Sequence, residues 1–241
     1  MGVNIEKVGK FYKSDLGEHV HAEIVRLLNK NLEGYGGDCV VSPGSRFYED
    51  VIRGHFNFLS YHTDSDQKDN EYSLTWQCSS HAADSAIMIH DLEFAKSPEN
   101  HLKEAFRVLK GDGRLVILFP NRSGGWARRD NTPFGVGAPR TLGQVKRLLN
   151  ENRFHFDRVE GALYFPPYNP KVEIIRRVVN IAHGFGVMNA GIFMVIAHKR
   201  EKAGIKEPVK KIREAVEGAL APKPASAVRR IPAHAKSKKA P

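Results

Sequence analysis

Cysteine is scarce in this sequence: the 241 residues include two, Cys39 and Cys78, with no Cys-x-x-Cys pair and no Cys/His cluster. Disulfide frameworks and zinc modules need several such residues at short spacings, so both are excluded. His19 and His21 are two positions apart and point to different faces of a helix, so no metal site is predicted. The two cysteines are predicted to be free thiols in a reducing compartment.

Long apolar segments are also missing. The longest clean run covers residues 190–197 and contains Gly191, which is too short to cross a bilayer. The first residues contain early acids and no apolar segment of the kind found in signal peptides. These absences predict a cytoplasmic protein that makes no membrane contact.

Acidic residues are absent from the last part of the chain. The whole sequence has 37 Lys+Arg, 27 Asp+Glu and a net charge of +10. Residues 200–241 contain 12 of the basic and 4 of the acidic residues, a net charge of +8. Residues 221–241 contain six basic residues, four prolines and no acid. The composition predicts a folded domain over 1–200, a basic amphipathic helix over 201–220 and a disordered tail over 221–241. The tail either contacts RNA phosphates or only aids solubility.

What is present is an alternation of strands and helices. A helix is predicted over 4–33, strands over 39–41, 56–61, 72–76 and 85–90, and a helix from Pro98 that ends at the glycines of 111–113. Strands follow at 114–119, 158–165 and 191–197, with helices from Thr141, over 172–183 and from Pro208. The 85–119 unit is a strand–helix–strand signature. This order predicts an open α/β sheet with helices on both faces and a reversed strand near its end.

In such sheets, ligands bind beyond the carboxyl ends of the strands. The residues that follow the predicted strands are therefore expected to surround one crevice. They are the turn 42–46, the pair at 62–63, the pair at 90–91 and the pair at 121–122.

One stretch resembles a known family. Residues 84–121 contain Asp-Ser-Ala-Ile-Met-Ile-His-Asp-Leu-Glu and later Arg-Val-Leu-Lys-Gly-Asp-Gly-Arg-Leu-Val-Ile. This stretch resembles the second half of class I S-adenosylmethionine-dependent methyltransferases. Residues 120–139, Gln144 and 162–167 are similar to a small methyltransferase-like group of alphaproteobacteria. The resemblance covers about residues 11–199. It implies a Rossmann-like, mostly parallel sheet of seven strands or nearly so, with one reversed strand.

The resemblance also implies a site for S-adenosylmethionine, with a degenerate motif. Family members carry an acid and three glycines after the first strand, whereas the turn 42–46 keeps Gly44 alone, and Pro43 lacks an N–H. No acid follows the third predicted strand. Cofactor binding is therefore expected to be weak or absent. The residues implied to contact the cofactor are Ser42, Gly44, Ser45, His62, Asp64, His90 and Asp91.

The aperiodic segment 120–139 is expected to bind the methyl acceptor, because long loops of this kind are often functional. The predicted contacts are Asn121, Arg122, Trp126 and Arg128. Exposed Trp and Arg are typical of recognition surfaces. A Trp that pins the loop to the domain is the alternative.

Two functions stay open. The first is an S-adenosylmethionine-dependent methyltransferase whose acceptor and catalytic residues are unknown, since methyl transfer depends mainly on alignment. The second is a catalytically silent module that binds or assembles, with RNA or the ribosome as a partner. A nucleotide-dependent oxidoreductase is disfavoured, because no Gly-x-Gly-x-x-Gly follows a strand.

Overall fold

In the computed structural model of the protein, residues 5–61, 74–164, 167 and 189–200 are described. The backbone divides into two units, Met1–Glu201 and Lys202–Pro241, and all the described residues belong to the first. Within these described ranges, no helix is both long enough and apolar enough to cross a membrane.

Helices and strands alternate along the first unit. The helices are α1 (Ile5–Tyr12), α2 (Asp15–Leu32), α3 (Glu49–Arg53), α4 (Pro98–Val108) and α5 (Leu142–Glu151). The strands are β1 (Asp38–Val41), β2 (Asn57–Tyr61), β3 (Ala83–Ile89), β4 (Leu109–Pro120), β5 (Phe154–Ala162) and β6 (Ile192–Lys199). Two 3₁₀ turns, Pro43–Tyr48 and Trp126–Arg128, follow β1 and β4.

The described strands form one sheet in the order β2-β1-β3-β4-β6-β5. Strands β2, β1, β3 and β4 pair in parallel, whereas β6 runs antiparallel to both β4 and β5. The predicted α/β sheet with one reversed strand near the chain's end is therefore confirmed. The parallel strands β1 and β3 end at the same edge, which positions the site described below.

The centre of the sheet is buried on both faces. Along β3, Ile87 and Ile89 pack in one apolar cluster with α1, α2 and α3, while Ala86 and Met88 pack in a second cluster with α4 and α5. This alternation follows from the two-residue period of a strand. Strands buried on both sides read as continuous apolar runs, which is why β3 and β4 were recognisable in the sequence.

The N-terminal helix predicted over 4–33 is two helices. Ser14 caps α2, because its hydroxyl accepts a hydrogen bond from the Gly17 N–H at 3.1 Å. A Cβ on Gly17 would lie 1.9 Å from the Phe11 carbonyl oxygen. Glycine therefore lets the start of α2 pack directly on the end of α1, and the chain breaks here instead of continuing as one helix.

Several predicted boundaries were wrong, including the start of β4, which is Leu109 and not residue 114, and the end of β5, which is Ala162 and not residue 165. The helix that begins at Pro98 ends at Val108, before the glycines, because Leu109 already pairs with Ala83 in the sheet. Strand β5 begins four residues earlier than predicted, at Phe154, which pairs with Lys199 of β6 and whose side chain is buried.

Other predicted elements lie partly or wholly outside the described residues. Of the strand predicted over 72–76, only residues 74–76 are described, and they do not form a strand. Trp76 is buried, and its indole N–H donates to the Val41 carbonyl at 2.8 Å. The helices predicted over 172–183 and from Pro208, and the tail 221–241, are not among the described residues.

Candidate functional site

The turn after β1 packs directly against the end of β3. The Ser42 hydroxyl bonds to both backbone groups of Ile89, at 3.1 and 3.2 Å, and the Ser45 hydroxyl donates to the Ile87 carbonyl at 3.1 Å. Both serines are buried. Two predicted cofactor contacts are thus placed at the expected edge of the sheet, where their hydroxyls join the two strands.

The backbone of Gly44 packs closely against the end of β3. A Cβ at this position would be 2.1 Å from the Ile89 carbonyl oxygen and 2.8 Å from the His90 Cβ. Glycine is therefore required here by the packing of the turn on the strand. A larger side chain at Gly44 would disturb the fold together with any ligand contact.

A buried chain of hydrogen bonds runs through His90, the residue after β3. The Tyr48 hydroxyl donates to the Tyr12 hydroxyl at 2.6 Å, and the Tyr12 oxygen lies 2.8 Å from His90 Nε2. His90 Nδ1 lies 3.2 Å from Glu93 Oε1. Since Tyr48 donates to Tyr12, we assign the Tyr12 hydroxyl as the donor to His90 Nε2 and the Nδ1–H of His90 as the donor to Glu93. We call these four residues the His90 cluster.

Glu93 holds the one carboxylate of the His90 cluster. The Glu93 side chain is buried, and its second oxygen, Oε2, has no hydrogen-bond partner within the described residues. The Glu93 backbone is fixed as well, because its carbonyl accepts a 2.6 Å hydrogen bond from the Ala138 N–H. The site therefore contains a fixed, buried acceptor with unused capacity.

The phenols of the cluster stay neutral. Burial raises the pKa of Tyr12, and the bond from Tyr48 offsets part of this effect. Burial also raises the pKa of Tyr48 well above its ordinary value, and the neighbouring Tyr12 adds to the effect. Both hydroxyls are therefore protonated throughout the physiological pH range.

Asp91 faces away from the cluster's hydrogen bonds. Its carboxylate lies 2.9 Å from His101 Nδ1 on α4, and both side chains are buried. The Asp91 carbonyl accepts from the N–H groups of Phe94 and Ala95. Asp91 therefore joins the end of β3 to α4. Although it was predicted to contact the cofactor, its side chain is engaged in a hydrogen bond within the protein.

The residues after β4 are divided between burial and exposure. The Asn121 amide donates to the Ala190 carbonyl at 2.8 Å, and its oxygen accepts from the Ser123 N–H at 3.0 Å, so it ties the loop to the start of β6. Arg122 is exposed. The remaining two predicted cofactor contacts, His62 and Asp64, lie outside the described residues.

Trp126 pins the long loop to the domain. Its side chain is 1% exposed, packs edge-on against Phe134 with 5.5 Å between ring centroids, and fills the space beside Gly191. The prediction that Trp126 is exposed and contacts the acceptor is therefore wrong, and the alternative, a Trp that pins the loop to the domain, is confirmed. Arg128, in the same 3₁₀ turn, is exposed. The loop is anchored, and Arg122 and Arg128 are the predicted acceptor contacts that reach solvent.

Sequence reasoning missed Tyr12, Tyr48 and Glu93. Tyr12 lies 78 positions before His90, a separation that no local pattern reveals. Glu93 could have been noticed, because it stands three residues after a histidine at a predicted strand end. Within the described residues, no group of three metal-ligating side chains converges.

Comparison with known proteins gives the fold. Neither a family model nor a curated protein matches the chain. It is similar to a chain from the Haloferax volcanii complex of the Trm112 methyltransferase activator, with 13% identity, TM-score 0.53, and coverage of 82% of this chain and 95% of that one. It is also similar to a SAM-dependent methyltransferase from Aquifex aeolicus, with 14% identity, TM-score 0.51, and coverage of 80% and 98%. The chain therefore has the class I methyltransferase fold, which by itself fixes no activity.

Proposed function

We propose that this protein is an S-adenosylmethionine-dependent methyltransferase that binds its cofactor weakly at the carboxyl ends of β1 and β3. The observation that carries the proposal is the unpartnered, buried Oε2 of Glu93 in the His90 cluster. Leaving such an acceptor unsatisfied costs about 1–3 kcal/mol, and more for a charged group. Proteins retain costly groups of this kind mainly at functional sites.

The cofactor fits this acceptor chemically. S-adenosylmethionine carries two cationic groups, a sulfonium and an ammonium, and the carboxylate of Glu93 would stabilise either one in a buried site. When bound, the cofactor supplies an electrophilic methyl group. Tyr12 and His90 hold the Glu93 carboxylate in one orientation, and the burial of all three excludes water.

The affinity is expected to be low. The turn after β1 has one glycine and a proline without an N–H, and the hydroxyls of Ser42 and Ser45 are engaged by β3. Two lost hydrogen bonds at about 1–3 kcal/mol each weaken binding by about thirty-fold to ten-thousand-fold. We expect a dissociation constant no tighter than the high-micromolar range.

Calorimetric titration of S-adenosylmethionine into the purified protein tests the proposal. Glu93→Gln preserves an amide oxygen for His90 but removes the charge, so it should weaken binding about tenfold or more without lowering the melting temperature. Glu99→Gln, at an exposed position in the first turn of α4, is the matched control and should bind like the wild type. Equal affinity in the wild type and Glu93→Gln would show that this carboxylate does not hold the cofactor.

The second candidate is a silent binding or assembly module with this fold. It is favoured by the internal bonds of Ser42, Ser45 and Asp91, whose side chains complete the packing of strand ends and of α4. Undetectable cofactor binding at millimolar concentration, in a protein that unfolds cooperatively, would favour this candidate. Low-micromolar affinity would contradict it.

We also propose that residues 221–241 contact RNA. Six basic residues without a single acid support this, because lysine and arginine bind phosphates and release counterions. Fluorescence polarisation with a labelled single-stranded RNA should show weaker binding after removal of 221–241, and affinity in the full chain should fall as salt is added. Equal RNA affinity with and without these residues would contradict the proposal.

A further inference from the structure

A cavity of about 720 Å³ lies against α1, and none of the four residues of the His90 cluster lines it. It is bounded by α1, by the beginning of α2 and by the loop segment at 130–137. Its volume is in the range of cavities that hold small organic ligands. Its apolar wall is formed by Val8, Phe11, Leu16, Phe94, Pro133 and Val136.

The wall is apolar where it is buried and remains apolar where it reaches the surface. Val8 and Phe94 are 4% and 8% exposed, whereas Val136 is 42% exposed and is one of two large hydrophobic side chains so exposed among the described residues. An apolar surface that continues from the interior to solvent favours a ligand that is itself apolar along its length.

The charged residues of the lining are two lysines and one aspartate. Lys7 and Lys10 are exposed and lie one turn apart on α1, so their stems share a helix face. Asp130 supplies a single negative charge on the loop side. Lysine stems add apolar surface while their ammonium groups attract an anion at the opening.

We propose that this cavity binds a small amphipathic anion, with an aliphatic or aromatic body against the apolar wall and a carboxylate or phosphate near Lys7 and Lys10. The Phe11 ring packs edge-on against the Tyr12 ring with 5.4 Å between centroids, and Phe94 directly follows Glu93, so a bound molecule would lie next to the His90 cluster. The proposal concerns binding alone and does not depend on the proposed function.

Displacement of anilinonaphthalene sulfonate, itself an aromatic anion, tests the proposal in the full-length protein without cofactor. Decanoate and decyl phosphate should displace the dye at concentrations about threefold to tenfold lower than decanol, which has the same apolar body and no charge. A preference for decyl phosphate over decanoate would assign phosphate as the head group, and the reverse preference would assign carboxylate. Equal displacement by decanol would overturn the proposal.

Variants locate the binding. Lys7→Gln combined with Lys10→Gln should weaken decanoate binding about threefold to tenfold, since surface ion pairs are individually weak, and should leave decanol unaffected. Lys13→Gln, at an exposed position outside the lining, should change neither. Val136→Trp should fill the opening and abolish dye binding at an unchanged melting temperature. Dye binding that persists in Val136→Trp would place the ligand elsewhere and overturn the proposal.

Discussion

Replacing Trp126 by alanine tests whether the long loop is part of the folded domain. The side chain is 1% exposed, and its ring packs against Phe134 and beside Gly191, where a Cβ would lie 2.2 Å from Trp126 Cδ1. A buried tryptophan removes about 150–250 Å² from water, which corresponds to about 4–6 kcal/mol at about 25 cal/mol per Å². Measured losses for Trp→Ala in cores are about 3–5 kcal/mol.

For a domain of this size, about 1 kcal/mol shifts the melting temperature by about 2–4 °C. Trp126→Ala should therefore lower it by about 6–20 °C, as measured by differential scanning fluorimetry and checked by urea unfolding. Arg128→Ala, an exposed residue of the same 3₁₀ turn, should shift it by less than about 2 °C. If Trp126→Ala lowered the melting temperature by less than about 3 °C, the reasoning would be refuted, because the packing of the loop would not support the fold.

Two further substitutions follow from hydrogen bonds at the helix starts and in the His90 cluster. Thr141→Ala removes the capping box that Thr141 forms with Gln144 and should cost about 1 kcal/mol in urea unfolding, whereas Ser97→Ala, at an N-cap whose side chain makes no capping bond, should cost less than half as much. Burial raises the pKa of Tyr12 and Tyr48, so their contribution to the free energy of unfolding is fully present below about pH 10. Above that pH the contribution falls by about 1.4 kcal/mol per pH unit for each phenol. Tyr12→Phe should therefore make the alkaline decline of stability shallower, and an unchanged slope between pH 10 and 11 would contradict the assignment.

The parts of the fold that local patterns determine could be read from the sequence. Strand β3, helix α4 and strand β4 are continuous apolar runs or amphipathic stripes separated by proline and glycine, and Thr141 with Gln144 spells a capping box. The reversed strand followed from the order of the elements. These features depend on residues that are near one another in the chain.

The site depended on contacts that no local pattern contains. The chain of hydrogen bonds from Tyr48 to Glu93 joins α1, a 3₁₀ turn and the residues after β3. The burial of Trp126 depends on Phe134 and on Gly191, 65 positions away. The sequence correctly placed polar residues at the strand ends, but it could not show that Ser42, Ser45 and Asp91 bond to the protein itself.

The position of β6 has a consequence for the order in which the sheet can be completed. Strand β6 lies between β4 and β5, although 29 residues separate its first residue, Ile192, from the last residue of β5, Ala162. During synthesis at about 5–20 residues per second, β5 would wait roughly 1.5–6 s for its partner. Over that interval β4 also has an open edge, a configuration prone to pairing with other chains. Nascent chains stalled before Ile192 should therefore depend on chaperones more than those stalled after Lys199.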